Sequence, residues 1–375
     1  MQDRRGREGH GDAAARSLPY VIESVATVVA KDISAEEWAA RVRIPNRKLP
    51  GKLLSGSDVV RITGIERKCW DPERFGNWTP VLDAVHEALA RGQTRAEEVD
   101  LVIIVTATPF YPQLGADGFD LMRRLGFRDD VPPIQLQAGC AAMARAMQLI
   151  STTGALRPLI IAYELSSKYM ESRVYYENQS HPLKDTLWMS PALFSDGAGA
   201  MLLRRAPEAK GVVIYSRDAQ SFGEDAGFHD PLIDYAGGGA AHAPGTPGAE
   251  ELAVYAMNGE ATRRYYSKGM MLNHHALEAA SPGYVRRVKR IYMHQASPRL
   301  VEHVRETLVR DVGATPEQLP HHAHRLGNLV APATLKLLSD DVEGKSVVAG
   351  DALCFSVVGA GPERGGFLIS MAGRA

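Results

Sequence analysis

The chain has 375 residues, 45% apolar and 23% charged, with a net charge of −1. That length predicts two or three domains or one large fused core, and the near-neutral charge argues against a nucleic-acid partner. It contains no apolar run of the roughly 18 residues a membrane span needs, and three cysteines, Cys69, Cys140 and Cys354, fit a reducing, cytoplasmic setting with at most one special thiol.

Residues 1–17 carry charge, Gly and Ala without an apolar h-region, which predicts a disordered leader rather than a secretory signal. The folded part is expected to begin near Tyr20, where VIESVATVVA reads as an edge or hairpin strand. ISAEEWAARVRI predicts a helix capped by Ser34, with Glu37 three residues on. PVLDAVHEALAR predicts an amphipathic helix closed by Gly92. VDLVIIVTAT is a continuous apolar run, expected of a strand buried on both faces. After a further helix through LMRRLG, PIQLQ predicts a short strand and AAMARAMQLI a helix of small residues, which puts Cys140 at a strand-to-helix junction. PLIIAYE and GAGAMLLRR are the next buried strands.

The second half repeats this rhythm. GVVIYSRDAQS reads as a strand, 251–280 as one long helical pattern, and VKRIYMHQA as a strand ending at His294. SPRLVEHVRETLVRDVG predicts a helix with Ser297 as cap and Pro298 in its first turn. APATLKLLSDD predicts another helix, and DALCFSVVGAGPERGGFLISMAG two strands around a Gly-rich turn. Alternating strands and helices in two comparable stretches predict an α/β fold. The domain expectation is a leader at 1–17, one half over 18–205 and a second over 206–375. The Gly- and Pro-rich segment 237–250 is expected to be a surface insertion, with a mobile cover as the alternative.

The candidate chemistry rests on three residues. A helix N-terminus lowers a thiol's pKa through its free N–H groups and dipole, so Cys140 is a candidate nucleophile; the competing reading is a small buried residue. Cys69 and Cys354 fit that structural reading better. His294, at the end of a strand, is a candidate donor or general base. Asn328, in RLGNLVAPATLKL, is either a helix cap or a neutral donor beside His294. The turn Gly359–Ala360–Gly361 is either a hairpin or part of an oxyanion hole. Asp196 is expected to hold a turn. His274–His275 and the HHAH run at 321–324 lack ligands at matching spacing, so no metal is expected. GGGAAHAPG is not a dinucleotide fingerprint.

In order along the chain, RITGIERKCW, QAGCAAM, FSDGAGAMLL, MHQASPRL, LGNLVAPATLKLL and VGAGPERGG resemble the conserved segments of the β-ketoacyl-(acyl carrier protein) synthase III family of the thiolase superfamily. The resemblance runs from about residue 20 to 375. It implies a thiolase fold, five layers αβαβα built from two fused similar halves, and usually a homodimer. It implies an acyltransferase of fatty-acid or polyketide biosynthesis that uses acyl and malonyl thioesters of coenzyme A or an acyl carrier protein and needs no cofactor. Cys140 would carry the acyl group, His294 and Asn328 would bind the second thioester and stabilise the enolate left by decarboxylation, and the N–H groups of Cys140 and of Gly359–Ala360–Gly361 would hold the oxyanion.

The chain also departs from the family pattern. Ile62 stands where coenzyme A-dependent members place an adenine-stacking Arg, and the matching Trp position falls near Asp58, which favours a carrier-protein donor. Leu329, Val330 and Pro332 replace small residues, and segment 168–190 is long. These changes suggest secondary-metabolic work. Acyl transfer without condensation and a non-catalytic subunit are the competing readings.

Overall fold

The computed structural model describes residues 14–46, 49, 51–217, 232–359 and 361–373. Its strands are β1 Arg16–Leu18, β2 Tyr20–Val29, β3 Asp32–Ser34, β4 Arg67–Cys69, β5 Leu101–Thr106, β6 Pro133–Gln137, β7 Pro158–Glu164, β8 Gly197–Arg205, β9 Gly211–Arg217, β10 Ile233–Asp234, β11 Ala256–Met257, β12 Arg290–Met293, β13 Ala352–Gly359 and β14 Glu363–Met371.

The apolar runs become strands because both of their faces are covered. Along β5 and β7, Ile103, Val105, Ile160 and Ala162 point into one core, and Val102, Ile104, Leu159 and Ile161 into another. The main sheet runs β1-β9-β14-β2-β8-β7-β5-β6, with β13 and β12 continuing from β14. Strand order repeats within it. β2-β8-β7-β5 pair antiparallel, antiparallel, parallel, and β9-β14-β13-β12 pair in the same sequence of directions. The two sets meet where Ser370 and Met371 of β14 run parallel to Val21 and Ile22 of β2.

Two helices form the middle layer. Ala142–Ile150 packs on β5 and on β9, β13 and β14; Pro332–Glu343 packs on β2, β7 and β8 and on β12. Each therefore touches both strand sets, and their Ala142, Met143, Met147, Leu335 and Leu338 fill the core between them. Helix Thr79–Arg91 covers the outer face of the first set, and Gly259–Ala280 that of the second. The result is the five-layered αβαβα thiolase fold. A Cβ on Gly365 would stand 2.7 Å from Ala144 Cβ, so small residues set the spacing between the central helix and its sheet.

Local signals read from the sequence hold in detail. Ser34 and Glu37 form a capping box, Gly92 ends its helix and Ser297 caps Pro298–Thr307. Four expectations need correction. Strand β2 is interior, because it pairs with β8 along one edge and with β14 along the other. The leader boundary at residue 17 is too late: Arg16 and Ser17 pair with Val213 and Val212 in β1, and residues 1–13 lie outside the described ones. The long helical pattern begins only at Gly259, after β11, where Asn258 caps it. The helix after Ser297 widens into a π turn over Leu308–Val312. Among the described residues no helix is long and apolar enough to cross a membrane.

Candidate active site

Cys140 follows β6 and lies two residues ahead of the helix Ala142–Ile150; Asn328 lies about one turn ahead of the helix Pro332–Glu343. The two residues occupy corresponding places in the two strand sets, before the helices that lead into β7 and β13. His294 follows β12, its N–H donating to Ser356 O at 3.0 Å. All three, with Gly359, line one cavity of about 220 Å³, and all three are buried, at 8%, 2% and 4% exposure for Cys140, His294 and Asn328.

Each is held by its neighbours. Asn328 bonds through its backbone to Leu193 O and Ser195 N, both at 2.9 Å, and its Oδ1 accepts the Val330 N–H at 2.8 Å. That fixes the amide with its NH₂ free to donate. The grip depends on Val330 taking φ +57°, a left-handed conformation uncommon for a β-branched residue and a mark of strain at a working site. The His294 ring lies 6.0 Å from Tyr266, edge to face, whose hydroxyl donates to His294 O. Its Nδ1 is buried without a partner among the described residues, leaving Nε2 as the ring atom available to a ligand. Burial pushes the imidazole down to about 3, so at neutral pH it is uncharged and can accept a proton.

The thiol behaves differently from the expectation. Burial pushes Cys140 well above the ordinary thiol range, and the nearby Glu164 adds to this, outweighing the favourable backbone hydrogen bond. The helix N-terminus does not win, because it acts at a desolvated site where an isolated charge is costly. Cys69, pushed up to about 12, and Cys354, also raised by burial, are inert core residues.

Gly359 packs directly on this junction: a Cβ there would sit 2.8 Å from Ala141 Cβ and 3.0 Å from Ala141 N. Gly361 lines a second cavity, and Ala360 lies outside the described residues. Asp196 is structural, its carboxylate accepting the N–H groups of Asp71 at 2.8 Å and Ser167 at 2.7 Å. His274 is bonded to Tyr284 inside the core.

Cys140 also borders a larger cavity of about 720 Å³. Its wall includes Glu164, Ser166, Tyr169 and Tyr255, and also Gly237–Gly239 and Pro244 of the segment expected to be a surface insertion. That segment is thus part of the site. Glu164 is the residue that sequence reasoning passed over; its signal was a carboxylate closing the otherwise apolar strand PLIIAYE. Burial, opposed by hydrogen bonds from Ala107 N and Thr108 Oγ1, raises it to about 8.

Comparison with known proteins agrees with this fold. The sequence profile described as 3-oxoacyl-[acyl-carrier-protein (ACP)] synthase III C terminal matches residues 282–371. The β-ketoacyl-[acyl-carrier-protein] synthase III of Rickettsia prowazekii is 25% identical, over 86% of this chain and 96% of its own. The crystal structure of 3-oxoacyl-(acyl carrier protein) synthase III from Pseudomonas aeruginosa superposes with TM-score 0.71 at 18% identity, covering 95% of this chain and 99% of that one. OleA of Xanthomonas campestris, solved with lauric acid and lauroyl-CoA, gives TM-score 0.71 at 16% identity, covering 94% and 99%. With its fold, its ordered motifs and these relatives, the chain is similar over most of its length to the β-ketoacyl-(acyl carrier protein) synthase III family of condensing enzymes.

Proposed function

We propose that the enzyme is an acyltransferase that loads an acyl group onto Cys140 and condenses it with a malonyl-type thioester, releasing carbon dioxide and a β-keto thioester. The observation that carries this reading is the meeting of a thiol, a neutral imidazole and an oriented amide on one buried cavity. In the first step Cys140 Sγ attacks the donor thioester carbonyl while His294 takes the thiol proton. The tetrahedral oxyanion is held by the N–H groups of Cys140 and Gly359. Collapse breaks the donor C–S bond, and the departing thiolate recovers the proton. In the second step His294 and Asn328 donate to the malonyl thioester carbonyl, stabilising the enolate as the carboxylate leaves. Its carbon attacks the acyl carbonyl, the Cys140 C–S bond breaks, and the thiolate released takes up a proton from solvent to restore the neutral thiol.

A carrier protein is the proposed donor. Ile62, in the position matching the family's adenine-stacking Arg, lines the cavity, and the position matching the Trp falls near Asp58. Arg61 is paired with Asp58 at 2.9 Å, and its carbonyl accepts from Arg299. The repeated strand order supports halves over 18–205 and 206–375. Exposed Tyr111, Leu114 and Phe119 support a homodimer.

Intact-protein mass spectrometry of wild type and Cys140→Ala tests the reading, with matched acyl-coenzyme A and acyl-carrier donors followed by a malonyl thioester. One acyl increment on wild type alone, then loss of carbon dioxide with a β-keto product, is expected. An increment that survives Cys140→Ala, or transfer without decarboxylation, would sink it.

A further inference from the structure

We infer that the larger cavity beside Cys140 is a recognition site for an acyl group bearing an aromatic ring with a hydroxyl or amine substituent, rather than for a plain alkyl chain. The inference rests on the acyl-Cys140 reading above and names the substrate class of that site.

At about 720 Å³ the cavity is more than three times the 220 Å³ of the His294 side, far more room than a short acyl group occupies. One wall is aromatic. Tyr169, Tyr235 and Tyr255 form a contiguous cluster, with ring centroids 4.9 Å apart for Tyr235–Tyr255, 6.1 Å for Tyr169–Tyr255 and 6.5 Å for Tyr169–Tyr235. The Tyr169 hydroxyl donates to Pro109 O and the Tyr255 hydroxyl to Ala107 O. Both phenols are therefore committed to the backbone, and the rings themselves are what the two residues offer a ligand. Ring clusters of this spacing favour offset or edge-on contact with another ring beyond simple area burial.

A second wall is polar and its side chains are buried. Glu164, the last residue of β7, and Ser166, which opens the next helix, are both fully buried and border the cavity. Glu164 accepts the Ala107 N–H at 3.0 Å and the Thr108 hydroxyl at 2.9 Å. Ser166 Oγ has no hydrogen-bond partner among the described residues. A buried hydroxyl left without a partner is costly, and most such groups in native proteins are satisfied. A methylene chain would seal Ser166 in that state. A hydroxyl or amine on the ligand would complete it and find Glu164 alongside. Sites built around buried polar groups discriminate strongly against analogues that lack the matching group, whereas purely apolar pockets discriminate weakly.

The test is the rate of Cys140 acylation, read by intact mass, with N-acetylcysteamine thioesters of octanoic, phenylpropanoic and meta- or para-hydroxyphenylpropanoic acid. All carry a saturated carbon beside the carbonyl, so their intrinsic reactivity is matched. The better hydroxyphenyl donor is expected to react at least about 10-fold faster than octanoyl, and Ser166→Ala to shrink the hydroxyphenyl-to-phenyl rate ratio by about 10-fold, equivalent to about 1.4 kcal/mol. Octanoyl reacting as fast as the hydroxyphenyl donors would overturn this inference and leave the acyl-enzyme reading standing. A ratio unchanged by Ser166→Ala would overturn the role of Ser166. No adduct from any donor would overturn the acyl-enzyme reading, and this inference with it.

Discussion

Gly359→Ala is the sharpest perturbation of the site. The added methyl would lie 2.8 Å from Ala141 Cβ, 3.0 Å from Ala141 N and 3.3 Å from Glu363 Cγ. Ordinary carbon contacts lie near 3.5–4.0 Å. The Glu363 side chain can shift, but Ala141 cannot: its N and Cβ belong to the turn that carries Cys140 into the central helix, which is packed against strands of both sets. The overlap must therefore be relieved by moving the β13 end away from Cys140. Overpacking of this kind costs about 1–3 kcal/mol. With roughly 2 cal/mol/K of unfolding entropy per residue, the 375-residue chain should lose only about 1–4 °C in Tm. Activity should suffer far more, because a displacement of about 1 Å in a positioned group can cost about 100-fold. The expected result is a folded protein whose Cys140 acylation rate, followed by intact mass, falls by about 100-fold. Gly154→Ala, where an added methyl meets nothing within 4 Å, should match wild type in both measurements. A Gly359→Ala enzyme that acylates at the wild-type rate would refute the assignment of this turn to the oxyanion site.

Asn328→Ala should separate the two half-reactions: acylation of Cys140 stays within a few-fold of wild type while carbon dioxide release from a malonyl thioester drops about 100- to 1000-fold. Equal loss in both would assign Asn328 a purely structural part. Glu164 gives a pH signature. Its folded pKa is raised to about 8 from an ordinary 4.5, so the folded state keeps a proton that the unfolded chain releases. The stability this proton contributes is full below about 4.5 and is lost as pH rises through about 8. Relative to Glu164→Gln, wild type should therefore weaken by up to about 1.4 kcal/mol per pH unit across that window, measured by denaturant titration at several pH values. Parallel profiles for the two proteins would contradict a buried, proton-holding Glu164.

What the sequence revealed was whatever depends on neighbours in the chain. The caps at Ser34, Gly92 and Ser297 follow from side chains within three or four residues of the groups they satisfy. The doubly buried strands follow from unbroken apolar runs such as LVIIVT and PLIIAYE. Cys140, His294 and Asn328 were legible because each sits at a junction between a strand or loop and a helix, and the family's motif order places those junctions together. What stayed hidden depends on residues far apart in sequence. Nothing near Tyr20 says that β14 will lie beside β2. Nothing in GGGAAHAPG says that it will wall a cavity beside Cys140. The left-handed φ of Val330, which holds Asn328, runs against the local preference of a β-branched residue and is imposed by its surroundings.

The same principle accounts for the thiol. A helix N-terminus favours negative charge, and from sequence that suggested a resting thiolate at Cys140. Burial raises the cost of any standing charge there, and Glu164 raises it further. Burial also keeps His294 neutral. A neutral thiol beside a neutral imidazole holds no charge before substrate arrives, so the resting enzyme does not have to sustain an ion pair between two buried side chains. In the proposed reaction the helices behind Cys140 and Asn328 act where charge develops: their N-terminal ends flank one cavity, and an oxyanion or enolate forming there would meet amides already in place. Interactions made only as the charge appears are the ones that lower the barrier. Desolvation and helix dipoles oppose each other in the resting thiol, yet they act together in the transition state, since the dry surroundings that disfavour a standing thiolate strengthen the hydrogen bonds that receive the transient anion.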